Sequence, residues 1–258
     1  MEHHRGRVAL VTGGSRGIGR AIALRLAAGG ADVAINYRRD ADAAEETAEG
    51  VRALGRVARV YSASVDKWEE DQAMAEAVLT DFGQVDILVH NAGIASRGNT
   101  VADTGPEEPG RVVATHALGP FYLSKLLVPQ MRERTRGDVV FISSVATDAC
   151  TANGAPYNMA KAAEEALART LAHEEQVNGI HVNIVAPGLV TTDMGDRLAR
   201  ALTAGASSSA ADLDAGFPFG HVGRPEDVAA VVDFLVGPGG GYLSDQRIVV
   251  DGGGARIA

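Results

Sequence analysis

Short runs of β-branched and other apolar residues recur along the chain, separated by longer stretches rich in alanine, leucine and glutamate. The runs are Val8–Val11, Val33–Asn36, Val57–Tyr61, Ile87–His90, Val139–Ile142, His181–Val185 and Ile248–Val250. Their length and side-chain type predict strands, and the stretches between them predict helices. Alternation at this spacing predicts parallel βαβ units, hence a doubly wound α/β fold with a mostly parallel, seven-stranded sheet. The runs are mostly apolar without a strict alternation, as expected of strands covered by helices on both faces.

No linker divides this pattern, so residues 1–258 read as one domain. Two patches interrupt it: Thr104–Gly110, rich in glycine and proline, and Ala204–Ala211, rich in serine and alanine. They follow the fourth and sixth predicted strands, where ligands of open α/β sheets bind, and are candidate substrate loops; plain solvated connections are the alternative. The segment at about 189–220 includes Phe217-Pro218-Phe219 and reads as a lid that could close over something apolar.

Composition mainly excludes. An apolar fraction of 46% with 22% charged residues is that of a globular protein, and a net charge of −9 disfavours nucleic acid or an anionic membrane as partner. No stretch is long and apolar enough to span a bilayer and no apolar signal region precedes the first strand, so a cytoplasmic location is expected. Cys150, the single cysteine, excludes an intrachain disulfide and reads as a small buried or half-buried apolar residue. The seven histidines lack ligand spacing, so no metal is expected. Glu45-Glu46 and Glu69-Glu70-Asp71 read as solvated helix faces. No Gly-x-Ser-x-Gly elbow is present to support acyl transfer.

The first predicted strand runs into Thr12-Gly13-Gly14-Ser15-Arg16-Gly17-Ile18-Gly19 and then into a good helix former. Glycines at such a strand-to-helix turn let the backbone approach a pyrophosphate, which the helix N-terminus attracts. The second strand ends in Asn36-Tyr37-Arg38-Arg39, with no carboxylate to hold a ribose 2′-hydroxyl. Arg38 is set to pair with a 2′-phosphate, and Arg16 could approach it from the other side, which favours NADP(H) and leaves NAD(H) open. Both arginines also fit as solvated charges, and Arg39 fits best as one.

A second cluster is Ser143-Ser144 at the end of the fifth strand, with Tyr157 and Lys161 four residues apart on the next helix. Such a pair shares a face, and an ammonium beside a phenol lowers its pKa, so the hydroxyl can exchange a proton with a substrate oxygen. Ser144 could hydrogen-bond that oxygen as charge develops.

Together the glycine turn, His90-Asn91-Ala92-Gly93, Ser144 thirteen residues before Tyr157, Lys161 four after it, and Pro187-Gly188 resemble the short-chain dehydrogenase/reductase family nearly end to end. Ala186–Met194, Val222–Asp227 and Val250-Asp251-Gly252-Gly253 are most similar to its 3-oxoacyl-acyl-carrier-protein reductase-like branch. The resemblance implies a single Rossmann domain and hydride exchange between NADP(H) and a carbonyl/secondary alcohol pair, in the ketone-reducing direction on a 3-oxoacyl thioester or related ketone. It implies Tyr157 as acid/base, Lys161 on the nicotinamide ribose and Ser144 on the substrate carbonyl. It places Gly13, Ser15, Arg16, Gly17, Ile18 and Gly19 along the phosphates, and Tyr37, Arg38, Ser64, Val65, Asn91, Ala92 and Gly93 on the adenosine side. Pro187, Gly188, Val190 and Thr192 fall near nicotinamide. A homotetramer is implied, with helices around Val112–Met131 and Tyr157–Glu175 at the main interface.

Two positions depart from the pattern. Relatives often carry asparagine in an Asn-x-x-Gly segment, holding a water in the proton path from the lysine, whereas this chain has His116-Ala117-Leu118-Gly119. Histidine titrates near neutrality, so His116 is expected to hold the water or relay the proton; a packed histidine is the alternative. Where relatives often have an adenine-binding aspartate, this chain has Ser64, so adenine falls to the Ser64 side chain with the Val65 backbone, or to Asp66. A non-catalytic NADP(H)-sensing or scaffold protein is the alternative function, for which His116 alone speaks. An epimerase or dehydratase on this fold lacks its extra substrate domain.

Overall fold

The computed structural model describes residues 2–254. Its strands are β1 Val8–Val11, β2 Asp32–Tyr37, β3 Ala58–Ser62, β4 Ile87–His90, β5 Gly137–Ile142, β6 Ile180–Pro187 and β7 Arg247–Val250. They form one sheet in the order β3-β2-β1-β4-β5-β6-β7, parallel at every pairing. The chain reverses direction across the sheet between β1 and β4, which opens a crevice at their carboxyl ends.

The helices are α1 Gly17–Ala28, α2 Ala41–Ala53, α3 Trp68–Phe82, α4 Glu107–Val113, α5 Gly119–Met131, α6 Ala146–Ala149, α7 Ala155–Glu175, α8 Asp193–Leu202 and α9 Pro225–Val236. Alternate strand residues feed two cores. Val11, Ile35, Val89 and Val140 pack under Ile22 and Leu26 of α1 and Val228 and Val232 of α9. Leu10, Leu88, Phe141 and Ile184 pack under Met74 of α3, Leu123 and Leu127 of α5 and Leu171 of α7. Each large apolar side chain buried this way contributes about 1.5–3 kcal/mol, so both layers hold the strand ends in place.

Four expectations need correction. The Thr104–Gly110 patch is partly helical: α4 starts at Glu107, and Pro109 sits in its first turn, where no intrahelical N–H is needed. Cys150 is exposed, at φ 43 just past α6, with Sγ donating to the Thr147 carbonyl. Asp71 is not on a solvated face: it is fully buried in α3, and neither carboxylate oxygen has a partner among the described residues. Burial, with Asp66 and Glu70 nearby, pushes its pKa up to about 8. Finally, His3 and His4, adjacent in sequence, share Asp233 of α9, their Nε2 atoms lying 3.1 and 2.8 Å from its Oδ1. That grouping of two imidazoles and a carboxylate is invisible in histidine spacing because 229 residues separate His4 from Asp233.

Candidate active site

The glycine turn is built against β2 and β4. Gly13 and Gly17 take φ of 61° and 54°, values that favour glycine. A Cβ on Gly19 would lie 2.3 Å from the Gly13 carbonyl oxygen, so α1 can start this close to the turn only with glycine there. Asn36 accepts from Gly13 N at 3.2 Å, and its amide donates to the Ala63 carbonyl at 3.0 Å, joining the turn to β2 and β3. Asn91 donates to the carbonyls of Thr12 and Gly13 at 2.8 and 3.1 Å, and Thr12 Oγ1 accepts from the amides of Asn91 and Ala92. Asn91 thus braces the turn itself.

Asp40 caps α2 and Thr192 caps α8 through their side chains, whereas α1, like α7, begins without a side-chain cap and without an acid in its first turn. Its free N–H groups face the crevice with the positive end of the helix dipole, a fit for an anion such as pyrophosphate. Ser15 and Ile18 lie in or beside this turn, and the Ser15 carbonyl accepts from Thr47 of α2.

Arg38 follows Tyr37 at the end of β2, is exposed, and makes no side-chain hydrogen bond or ion pair with the described residues. Arg16 turns the other way and pairs with Asp193 at the start of α8, Nη1 to Oδ2 3.1 Å, both side chains 65% exposed. An exposed pair of this kind is worth about 0–1 kcal/mol, so it does not lock Arg16 away from a ligand. At the end of β3 the Ser64 hydroxyl donates to Asp66, so both acceptor candidates for adenine occupy one spot beside Val65. Val65 packs against Gly119, where a Cβ would meet the Val65 carbonyl oxygen at 2.5 Å.

The second cluster gathers at the carboxyl ends of β5 and β6. Ser144 is half-buried; its Oγ accepts from Ala146 N at 3.1 Å, which leaves the hydroxyl proton for an outside acceptor. Val145 N donates to the Pro187 carbonyl at 3.1 Å, tying the serine loop to β6, and Gly188 N donates to the Val250 carbonyl. Tyr157 is half-buried near the start of α7, its ring edge-to-face with His116 at 5.3 Å. Lys161 is buried, and its Nζ donates to the Ile142 carbonyl and to Glu164 Oε2, each at 2.6 Å. Desolvation pushes the Glu164 carboxyl up to about 7 against the pull of the Lys161 ammonium.

His116 lies in a π-helical turn, Ala114–Leu118, that joins α4 to α5. Its Nε2 lies 2.8 Å from the Ile94 carbonyl and 3.1 Å from Ile94 N; the shorter contact assigns the proton to Nε2, leaving Nδ1 as a buried acceptor without a partner among the described residues. Burial, helped by Lys161, pulls its pKa down to about 3. This shift is away from the near-neutral value expected of a free imidazole and favours the uncharged ring, in which form His116 can orient a water. Gly93 makes room for it, since a Cβ there would lie 2.7 Å from His116 Cε1.

The segment after β6 packs against the glycine turn. The Thr192 methyl would lie 3.2 Å from a Cβ on Gly17, and Arg16–Asp193 closes the same gap. Val190 is buried and bridges to Gly223, and α8 leaves Met194, Leu198 and Leu202 exposed four residues apart along one face. Residue types alone did not reveal Glu164, Glu165, Arg247, Asn36 or the π turn. Glu165, Arg247 and Asn36 depend on partners distant in sequence and the π turn on a local shift in helical hydrogen bonding, whereas Glu164 pairs with Lys161 three residues away on α7.

A parallel sheet with a crevice at its switch point, an uncapped helix at a glycine turn, and a serine, tyrosine and lysine at the neighbouring strand ends define a nucleotide-dependent oxidoreductase. The chain belongs to the short-chain dehydrogenase/reductase family. A family model described as enoyl-(acyl carrier protein) reductase matches residues 13–254. Over 245 residues the chain is 36% identical to the 3-oxoacyl-[acyl-carrier-protein] reductase of Staphylococcus aureus, covering 95% of this chain and 96% of that protein. The corresponding reductase of Synechocystis is 34% identical, with 96% of each chain covered. The structure matches a short-chain dehydrogenase from Burkholderia cenocepacia in complex with NADP, with a TM-score of 0.86, 34% identity and coverage of 97% and 98%. It matches an NAD+-bound xylitol dehydrogenase with a TM-score of 0.89 at 29% identity, covering 96% and 99%.

Proposed function

We propose that this protein is an NADP(H)-dependent ketoreductase that reduces a small-molecule carbonyl, a 3-oxoacyl thioester or related ketone, and catalyses the reverse oxidation with the same groups. The single observation that carries the reading is the Lys161 contact with the Ile142 carbonyl, which holds the tyrosine helix against the strand end from which Ser144 emerges. The 3-oxoacyl reductase relatives and the NADP complex support the substrate class and cofactor. Nothing beyond His116 favours a non-catalytic role.

When bound, the reduced cofactor supplies a hydride from nicotinamide C4. The N–H groups at the start of α1, with Gly13, Ser15, Gly17, Ile18 and Gly19 around them, hold the pyrophosphate. Arg38 pairs with the 2′-phosphate, and Arg16 can leave Asp193 to join it. Tyr37, Ser64, Val65, Ala92 and Gly93 line the adenosine side, and Pro187, Gly188, Val190 and Thr192 the nicotinamide side. Ser144 donates its free proton to the substrate oxygen and Tyr157 protonates that oxygen, while Lys161, held by the Ile142 carbonyl and Glu164, sits one helical turn from Tyr157 to bind the nicotinamide ribose. His116 presents its Nδ1 lone pair to a water beside Tyr157.

The exposed stripe Met194–Leu198–Leu202 with Phe219 suits a lid over an apolar acyl chain. Leu118, Phe121 and Met159 are exposed on the π turn, α5 and α7, and a groove between α5 and α7 runs past Phe121, Pro129, Leu167 and Leu171. These surfaces support a homotetramer assembled through the two helices. Among the described residues no helix is long and apolar enough to cross a membrane, in keeping with a cytoplasmic enzyme. Initial rates of NADPH oxidation against a panel of 3-oxoacyl thioesters and free ketones test the reading. Net, ketone-dependent NADPH consumption is expected, and its absence across the panel contradicts it.

A further inference from the structure

Ser144 and Tyr157 must face one substrate oxygen, yet they sit on different elements. Ser144 leaves β5, whereas Tyr157 belongs to α7, and the connection between holds only the four-residue α6. That connection also passes through positive φ at Cys150 and Asn153, so regular structure does not set the distance between the two hydroxyls.

A charged cluster does. Arg247, at the start of β7, donates from Nη2 to the Ser144 carbonyl at 3.2 Å and to Thr147 Oγ1 at 2.8 Å. The same nitrogen lies 2.9 Å from Asp148 Oδ2. Its Nε donates to Glu165 Oε1 at 2.9 Å. Glu165 Oε1 also accepts from Ser143 Oγ at 2.5 Å, and the single Thr147 hydroxyl proton is shared between Glu165 Oε1 at 3.1 Å and the Ser144 carbonyl at 3.0 Å. Glu165 is on α7, four residues after Lys161 and eight after Tyr157, so this one carboxylate belongs rigidly to the tyrosine helix. The Glu165 and Arg247 side chains are 11% and 14% exposed, which limits screening of their pairing. Only a planar fork with several N–H groups can reach a carboxylate, a hydroxyl and a backbone carbonyl at once; an ammonium at the end of a lysine cannot.

We propose that Glu165 and Arg247 are positioning residues that clamp the serine loop to α7 and so set Ser144 against Tyr157. The proposal rests on the reading of Ser144 and Tyr157 given above. Neither clamp residue touches substrate; their contribution acts through the Ser144 carbonyl and the Ser143 and Thr147 hydroxyls. A loosened loop misplaces the Ser144 hydroxyl by a fraction of an ångström to an ångström, which affects the chemical step far more than cofactor binding at the other end of the crevice.

The test is steady-state kinetics of Arg247→Ala and Arg247→Lys with a ketone that the wild type reduces. Expected is a fall in kcat on the order of 10–100-fold, an NADPH KM within about twofold of wild type, and partial recovery of Arg247→Ala by added guanidinium but not by ammonium. Thr147→Val removes the bridging hydroxyl without burying an unpaired charge, and serves if the arginine variants do not fold; its kcat is expected to fall with unchanged NADPH KM. Wild-type kcat in a folded arginine variant, or in Thr147→Val, overturns the clamp. So does a loss that guanidinium leaves untouched and that falls equally on NADPH binding. Ser144→Ala measured alongside separates the two claims: if it keeps full activity, the reading of Ser144 fails, whereas an inactive Ser144→Ala beside a fully active Arg247→Ala refutes the clamp alone.

Discussion

The glycine turn after β1 and the serine loop after β5 sit at the same edge of the sheet but are fixed by different means. The turn is held by neutral groups: Asn36, Asn91 and Thr12 satisfy its backbone while the N–H groups at the start of α1 stay open. The serine loop is held by largely shielded ions, Arg247 with Glu165, and backed by the buried pair Lys161 with Glu164. The difference follows from what each must do. A turn that takes up an anionic cofactor gains from uncommitted donors and a dipole, and any resident carboxylate would compete with the phosphate. A loop that must hold one hydroxyl in place gains from strong, directional, charge-assisted bonds in a partly dry setting.

The largest effect is expected from breaking the turn itself. Gly19→Ala forces a Cβ onto the Gly13 carbonyl, a backbone atom that cannot swing aside. Calorimetric titration is expected to show NADPH affinity reduced by about 100-fold or more, the equivalent of roughly 2.7 kcal/mol, with a lower melting temperature.

Arg38→Ala sharpens the contrast, because it removes a side-chain contact and leaves the backbone cradle intact. NADPH affinity is expected to fall by about 10–100-fold, in line with roughly 1.5–3 kcal/mol for a hydrogen bond to a charged group, while NADH affinity stays within twofold. Equal losses for the two cofactors would remove Arg38 from 2′-phosphate recognition.

The smallest effect concerns a buried acid outside both regions. Asp71 is raised from the ordinary 3.8 to about 8. Between those values the folded state holds a proton that the unfolded state releases, so its contribution to stability is present at low pH and lost as pH rises through that window. Asp71→Asn should therefore raise the melting temperature at pH 8 by about 2 °C or more, with little change at pH 4. A shift of equal size at both pH values would show that the carboxyl does not titrate as described.

Legibility in the sequence tracks the same division. The central strands were readable because they are buried on both faces and mostly apolar, and the glycine turn because its chemistry is contiguous from Thr12 to Gly19. Ser144, Tyr157 and Lys161 were singled out by the family resemblance, since their spacing alone is common; Ser144 lies just past β5, and Tyr157 and Lys161 lie on α7. Asp71 was misread as solvated because an acidic run does not disclose which member turns inward. Glu165 and Arg247 were missed because 82 residues separate them. His116 was recognised as a departure, but its pKa is lowered by burial within the π turn and by the nearby Lys161 ammonium, against the contact with Ile94, and the residue type encodes none of these.

The account stands or falls with the Tyr157 proton. The most direct measurement is the rate of ketone-dependent NADPH oxidation by Tyr157→Phe, with NADPH binding measured on the same sample. Loss of a positioned general acid predicts a rate lower by about 10²–10⁴-fold with cofactor affinity preserved within a few fold. Turnover at the wild-type rate by the phenylalanine variant would contradict the account.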